Sequence, residues 1–202
     1  MSLWLASDPL MLASRSAVRR RLLEAAGVPI ELRPADIDER ALEADAMSEE
    51  PTVIAAHLAG AKAAVVAGSH PGRLVLGADQ ILTLDGKRFS KPADRMTARA
   101  QLRALCGRTH ELHSAIAFVQ GAAVLFEHVG TARLTMRAFS DQFLDLYLDA
   151  VGSAATASVG AYQMEGPGIQ LFERVDGDYF TVLGLPLLPA LDFLRRRGCL
   201  AQ

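Results

Sequence analysis

The feature that most constrains the fold of this chain is the alternation of short apolar runs with segments of helical periodicity. Residues 10–13 form an apolar run suited to a buried strand, and Ser14 or Ser16 can cap the helix that follows until Gly27. No linker, repeat of solenoid period or low-complexity segment interrupts the alternation. We therefore expect a single domain of the α/β class spanning residues 1–202.

The same periodicities predict the remaining elements. Further helices are expected at 51–68, 97–105, 140–151 and 187–197. Further strands are expected at 74–84, 111–119, 122–136, 169–175 and 179–183, with an Asp85-Gly86 hairpin that returns through residues 88–89. Asp79 is thereby placed within a strand or at its mouth.

Charge and cysteine content exclude several classes of protein. The 21 Lys and Arg against 23 Asp and Glu give a net charge of −2, which favours neither nucleic acid nor an anionic membrane as a partner. Two cysteines, Cys106 and Cys199, cannot form a disulfide framework. No apolar run approaches about 18 residues, and the N-terminal charges do not fit a signal peptide. We expect a cytoplasmic protein that does not span a membrane.

A cluster of hydroxyls and arginines lies where the first strand turns into the first helix: Ser14, Ser16, Arg19, Arg20 and Arg21. Backbone N–H groups and the helix dipole attract anions at such a place, and guanidinium groups would complete a phosphate-binding site. The alternative is a solvated helix face. Because neighbouring apolar residues define the buried side, at least one of Arg19 and Arg20 should face solvent or the rim.

Asp79 is the second candidate, because a carboxylate that emerges from an apolar strand is costly to bury without a partner or a chemical role. Lys91, beyond the hairpin, is a candidate partner, and a purely structural ion pair is the alternative. Lys62 lies on an alanine-rich helix face, where it either takes part in the site or extends its ammonium group to solvent.

Acidic residues could complete a metal site with Asp79. Asp36, Asp38 and Glu39 lie in a loop-like stretch, where they are either solvated or available to hold Mg²⁺ or Mn²⁺ together with substrate phosphates. His110 and His113 are spaced like a metal-binding pair, but alternation along a strand sends them to opposite faces. Together, the cations and carboxylates describe phosphoanhydride hydrolysis, in which one carboxylate takes a proton from water.

The order of these motifs resembles that of the Maf nucleoside triphosphate pyrophosphatases, from about Leu10 to Leu194. The matching segments are LASRSAVRRRLL at 12–23, Asp38-Glu39, HLAGAKA at 57–63, VLGAD at 75–79, Lys91-Pro92, LCGRTH at 105–110, GAYQMEG at 160–166 and VLGLPL at 182–187. The resemblance implies a mixed, strongly twisted sheet with flanking helices in two lobes around a nucleotide cleft, usually in a homodimer.

The resemblance also implies cleavage of a nucleoside triphosphate between its α and β phosphates, with a divalent metal, Mg²⁺ or Mn²⁺. Asp79 falls on the family's proton-acceptor position. Glu39 and Asp79 both fall on positions linked to the metal. The phosphate-binding positions implied by the motifs are Ser14, Arg19, Lys62 and Lys91.

Three positions implied to select the base are Val18, Gln80 and Glu165. Gln80 and Glu165 resemble the branch that prefers 7-methyl-GTP, and a carboxylate there can accept from guanine N1–H and N2–H. Val18 replaces an aromatic residue of that branch, and Ser158 replaces a Lys of the branch acting on dTTP and UTP. The alternatives are a dTTP/UTP-preferring enzyme and a nucleotide-binding division regulator with vestigial catalysis.

Overall fold

The computed structural model describes residues 3–44 and 48–202. The chain divides into two compact units. Unit 1 comprises Met1–Gln80, Ser114–Gly130 and Tyr179–Gln202, and unit 2 comprises Ile81–His113 and Thr131–Asp178.

A mixed sheet is the centre of the fold. Within the described ranges it has seven strands: β1 (Leu10–Leu12), β2 (Ile30–Leu32), β3 (Leu74–Leu84), β4 (Lys87–Phe89), β5 (Thr109–Gln120), β6 (Ala123–Met136) and β7 (Phe172–Asp176). Their order is β2-β1-β3-β5-β6-β7, and β4 pairs with β3. β1 runs parallel to β2 and β3, whereas the β3–β4 and β6–β7 pairs are antiparallel. With the helices below, this confirms the expected mixed α/β class.

Seven α-helices accompany the strands in the part of the chain that the structure describes. They are α1 (Ala17–Ala25), α2 (Glu39–Ala44), α3 (Pro51–Ser69), α4 (Arg95–Leu105), α5 (Asp141–Val151), α6 (Tyr179–Val182) and α7 (Leu187–Arg196). Ser16 caps α1 by accepting from the backbone N–H of Arg19, and Ser140 caps α5 in the same way. The predicted helices at 51–68, 97–105, 140–151 and 187–197 are therefore confirmed to within two residues at each end.

One prediction near the C-terminus is wrong, because the expected strand at 179–183 is the short helix α6. The strand expected at 169–175 is present as β7, but it begins at Phe172, after a 3₁₀ turn over Pro167–Leu171. The aromatic and β-branched residues of 179–183 favour a strand locally, but a short apolar run does not distinguish a strand from a buried helical turn. Strand β2 was not predicted at all.

In unit 1, side chains alternate between two apolar layers on opposite faces of the sheet. Met11 and Val75 pack in one layer with Ala63 and Val66 of α3. The other layer contains Leu10, Leu12, Leu76, Ile116, Phe118, Phe193 and Leu194. Because successive strand residues point to opposite faces, this alternation along β3 sends Asp79 toward α3 and Gln80 away from it.

Helix α3 is long and apolar enough to cross a bilayer by length and composition. The core helix of a soluble protein passes the same test, and 44% of the most apolar window is buried inside the structure. We therefore interpret α3 as a core helix, whose buried residues are Ile54, Ala55, Leu58, Ala59, Lys62, Ala63, Val66 and Ala67.

Unit 2 contains a buried histidine. His110 is 1% exposed, and its Nε2 lies 2.7 Å from the hydroxyl oxygen of Tyr162. Its Nδ1 has no hydrogen-bond partner within residues 3–44 and 48–202. Burial disfavours the charged imidazolium and lowers the pKa of His110 from 6.5 to about 4.

Unit 2 should therefore lose stability in mild acid. Between pH 6.5 and about 4 the unfolded chain binds a proton at His110 that the folded chain does not, so stability falls as the pH falls through this window. We expect this histidine to lower the free energy of unfolding by about 2 kcal/mol between pH 7 and pH 5, measured by urea denaturation. His110→Gln should remove most of this loss and His57→Gln, at an exposed position, should retain it. The same pH dependence in His110→Gln would contradict the assignment.

Candidate functional site

The centre of the candidate site is a buried lysine held between two carboxylates of unit 1. Lys62 Nζ lies 2.6 Å from Asp79 Oδ1 and 2.8 Å from Glu39 Oε1. Lys62 and Asp79 are 9% and 7% exposed, whereas the Glu39 side chain is 53% exposed. Lys62 therefore does not extend to solvent. The candidate partner of Asp79 was Lys91, but the structure pairs Asp79 with Lys62 instead.

A glycine makes this pairing possible. Gly77 lies two residues before Asp79 on the same face of β3, where α3 crosses. A Cβ at Gly77 would lie 2.0 Å from the carbonyl oxygen of Ala59 and 2.8 Å from the backbone nitrogen of Ala63. Only glycine allows α3 to approach β3 this closely, and the approach brings Lys62 within hydrogen-bonding distance of Asp79.

Arg19 lies beside this cluster, with its guanidinium group turned inward from α1. Its Nε donates to Gly184 O at 2.7 Å, and its Nη1 donates to Ala78 O at 2.8 Å and to Ser14 Oγ at 3.2 Å. Burial lowers the pKa of Arg19, and the negative charges of Asp79 and Glu39 oppose that shift. Nη2 donates to no residue in the described ranges, so one N–H edge remains available to an anion.

The arginine cluster divides as expected between the interior and solvent. Arg20 is exposed and lies 3.7 Å from Glu24 one turn later, and Arg21 is exposed as well. Ser14 is 7% exposed, and its Oγ accepts from Ser16 N at 3.3 Å as well as from Arg19. The hydroxyl proton of Ser14 has no acceptor among the residues described and can be donated to a ligand.

Gln80 points to the other face of β3, toward α6. Its Nε2 lies 3.0 Å from Ser114 Oγ, 3.0 Å from Val182 O and 3.3 Å from Thr181 O. Sequence reasoning missed Ser114 and Thr181, because their importance depends on packing between segments more than 30 residues away from Gln80. It also missed the carbonyl of Gly184, although that glycine lies within a recognised motif.

The candidate residues do not all lie in one unit. Unit 1 contains Ser14, Val18, Arg19, Glu39, Lys62, Asp79 and Gln80. Val18 is half-buried on α1. Lys91 and Glu165 belong to unit 2, where both are exposed, Lys91 in the segment after β4 and Glu165 in a turn.

A metal ion here would need ligands beyond the protein. No group of three or more His, Cys, Asp or Glu side chains able to hold a metal occurs within 3–44 and 48–202. Mg²⁺ is often bound through one or two carboxylates together with substrate phosphates. Glu39 and Asp79 supply two carboxylates that converge on one ammonium group, so the donor set fits an ion that phosphate oxygens complete. His110 and His113 have different partners, Tyr162 and Thr83 respectively.

Comparison with known proteins finds relatives that match almost the whole chain. The family model described as Maf-like protein matches residues 9–197. A nucleoside triphosphate pyrophosphatase of Rhodopseudomonas palustris is 54% identical over 201 residues, 100% of each chain. A 7-methyl-GTP pyrophosphatase of Rhizobium etli is 51% identical over 191 residues, 94% of this chain and 96% of that one. A crystal structure of a nucleoside-triphosphatase (dITP/XTP pyrophosphatase) of Mycobacterium abscessus is 16% identical, with 95% of each chain covered and a TM-score of 0.41.

Proposed function

This chain belongs to the Maf-like protein family, and from that membership we propose that it is a nucleoside triphosphate pyrophosphatase. The reaction is hydrolysis of the α–β phosphoanhydride to a nucleoside monophosphate and pyrophosphate. The observation that carries the proposal is the buried Lys62–Asp79 pair, joined by the exposed Glu39, beside the guanidinium group of Arg19. A solely structural domain has little reason to bury two cations and a carboxylate together.

Asp79 is the proposed proton acceptor for the attacking water. Its Oδ1 is engaged by Lys62, while Oδ2 has no hydrogen-bond partner among the described residues. A carboxylate oxygen in this state can accept the proton that water loses as it attacks phosphorus. Lys62 holds the carboxylate in place through its 2.6 Å contact.

The phosphates are bound, in this proposal, by Ser14, Arg19, Lys62 and Lys91. Arg19 offers Nη2 and Ser14 its hydroxyl proton, both in unit 1. Lys91 is proposed on its motif match alone. Hydrogen bonds from charged donors to phosphate oxygens are about twice as strong as neutral ones, which suits the binding of a polyanion.

Glu39 and Asp79 are the residues proposed to hold the divalent metal, Mg²⁺ or Mn²⁺. When bound, such an ion neutralises phosphate charge and polarises the phosphoryl oxygen. Lys62 Nζ contacts Glu39 Oε1 and Asp79 Oδ1, so the two carboxylates converge on one cationic group. The family resemblance also leads us to propose a homodimer and a cytoplasmic location.

We propose 7-methyl-GTP as the preferred substrate. Gln80 and Glu165 match that branch of the family, and the Rhizobium etli relative is named for this activity. Val18, the third position, offers an aliphatic contact to the base in place of aromatic stacking. A carboxylate at Glu165 complements the positive charge that N7 methylation gives to guanine.

Pyrophosphate release from 7-methyl-GTP, GTP, dTTP, UTP and CTP, with Mg²⁺ or Mn²⁺, tests the preference. We expect the highest kcat/KM for 7-methyl-GTP, and a loss of about tenfold in that preference in Glu165→Gln, since a charged hydrogen bond contributes about 1.5–3 kcal/mol. Glu173→Gln, at another exposed acidic position of unit 2, is the matched control and should keep the preference. Equal rates with UTP and 7-methyl-GTP would refute it.

A further inference from the structure

The carboxamide of Gln80 is held in one orientation by acceptors alone. Its Nε2 faces the carbonyl oxygens of Thr181 and Val182, at 3.3 and 3.0 Å, and Ser114 Oγ at 3.0 Å. Carbonyl oxygens can only accept hydrogen bonds, so they require the NH₂ side of the amide to face them.

Ser114 extends this requirement to the third contact. It is completely buried, and its hydroxyl donates to Thr181 O at 2.7 Å. With its single proton engaged, the oxygen of Ser114 can only accept from Gln80. A flipped amide would place Oε1 against three oxygens, none of which has a proton to offer, at a cost of at least the hydrogen bonds lost.

The opposite end of the amide faces a space beside Arg19 and Gly184. Oε1 of Gln80 and Nη2 of Arg19 each lie 3.4 Å from the point where a Cβ of Gly184 would stand. No residue in the described part of the chain donates a hydrogen bond to this Oε1. Gly184 has a φ of +87°, which favours glycine, so no Cβ occupies this point.

We propose that Ser114 is a positioning residue that makes Gln80 a pure hydrogen-bond acceptor toward the substrate. Resting on the proposed function, this assigns the site a substrate class: nucleotides whose base offers a ring N–H, as guanine and uracil do. Adenine and cytosine present an unprotonated ring nitrogen at the corresponding edge, and two acceptors would then face each other. A site that leaves a buried polar group unpaired discriminates strongly against the wrong ligand.

Two nearly isosteric pairs of nucleotides, GTP with ATP and UTP with CTP, test the proposal. We expect the wild-type protein to favour the first member of each pair in kcat/KM, and Ser114→Ala to reduce both ratios by about tenfold, mainly through KM. Gln80→Leu should abolish the ratios, and adding Ser114→Ala to Gln80→Leu should change them no further, since Ser114 acts through Gln80. Thr83→Val removes another buried hydroxyl, on the same strand but in unit 2, and should leave the ratios unchanged.

Binding of the non-hydrolysable α,β-methylene analogues of GTP and ATP, measured by calorimetry, separates the role of Ser114 from the proposed catalytic function. If the wild-type protein released no pyrophosphate from any nucleotide, the proposed function would be overturned. The analogues would still report the preference for GTP over ATP. Turnover with unchanged ratios in Ser114→Ala, or a further loss in the double variant, would overturn the role of Ser114 and leave the proposed function standing.

Discussion

Replacing Asp79 with Asn is expected to lower the rate of pyrophosphate release by roughly 10²–10⁴-fold, the range that general-base catalysis supplies. Asparagine preserves the shape of the side chain and can still accept from Lys62, but its amide does not take a proton from water at neutral pH. The loss should fall on kcat, because the proposed phosphate-binding groups remain. Steady-state kinetics with the preferred nucleotide measure it.

Asp36→Asn is the control for this substitution. Asp36 is a fully exposed carboxylate of unit 1 with a long 4.0 Å contact to Arg15, so its neutralisation should leave kcat unchanged. Circular dichroism should show both variants folded. An Asp79→Asn protein that turns over at the wild-type rate would show that another group accepts the proton.

Substituting Gly77 with Ala should lower the free energy of unfolding by about 3 kcal/mol. The added Cβ would meet the carbonyl oxygen of Ala59 at 2.0 Å, and neither backbone can yield without moving α3 away from β3. The same movement would separate Lys62 from Asp79, so turnover should fall with stability. Urea denaturation gives the first quantity and pyrophosphate release the second.

Gly68→Ala, on α3, provides the comparison. No atom lies within 4 Å of the position its Cβ would take, and alanine is favoured over glycine in helices by about 0.5–1 kcal/mol. We therefore expect this variant to be equally or slightly more stable. If Gly77→Ala were as stable as Gly68→Ala, the close approach of β3 and α3 would not be what positions the cluster.

The sequence predicts the helices and strands that carry the site better than it predicts which side chains pair between them. The alternation along β3 and the helical periodicity of α3 can be recognised in the sequence. The unusual position of Lys62 on an alanine-rich face can be recognised there as well. Which cation pairs with Asp79 depends on how α3 lies over β3, which the close approach at Gly77 determines. That is a tertiary property, so the sequence indicated Lys91 as the candidate partner, whereas the structure pairs Asp79 with Lys62.

Gln80 shows a second limit of prediction from sequence, the orientation of a side chain that depends on tertiary contacts. Its position after Gly77-Ala78-Asp79 marks it as a candidate, but the orientation of its amide depends on carbonyls of α6, a segment whose composition suggests a strand. Tertiary hydrogen bonds override local propensity in such a short segment. The roles of Lys91 and Glu165 rest on motif matches and stay predictions.

The proposed reaction is tested by the identity of its products, followed by ³¹P NMR as the wild-type protein and Asp79→Asn act on GTP and 7-methyl-GTP. We expect nucleoside monophosphate and pyrophosphate in equal amounts from the wild-type protein, and almost none of either from Asp79→Asn. Formation of nucleoside diphosphate and orthophosphate would place the cleavage at the β–γ bond and contradict the proposed reaction.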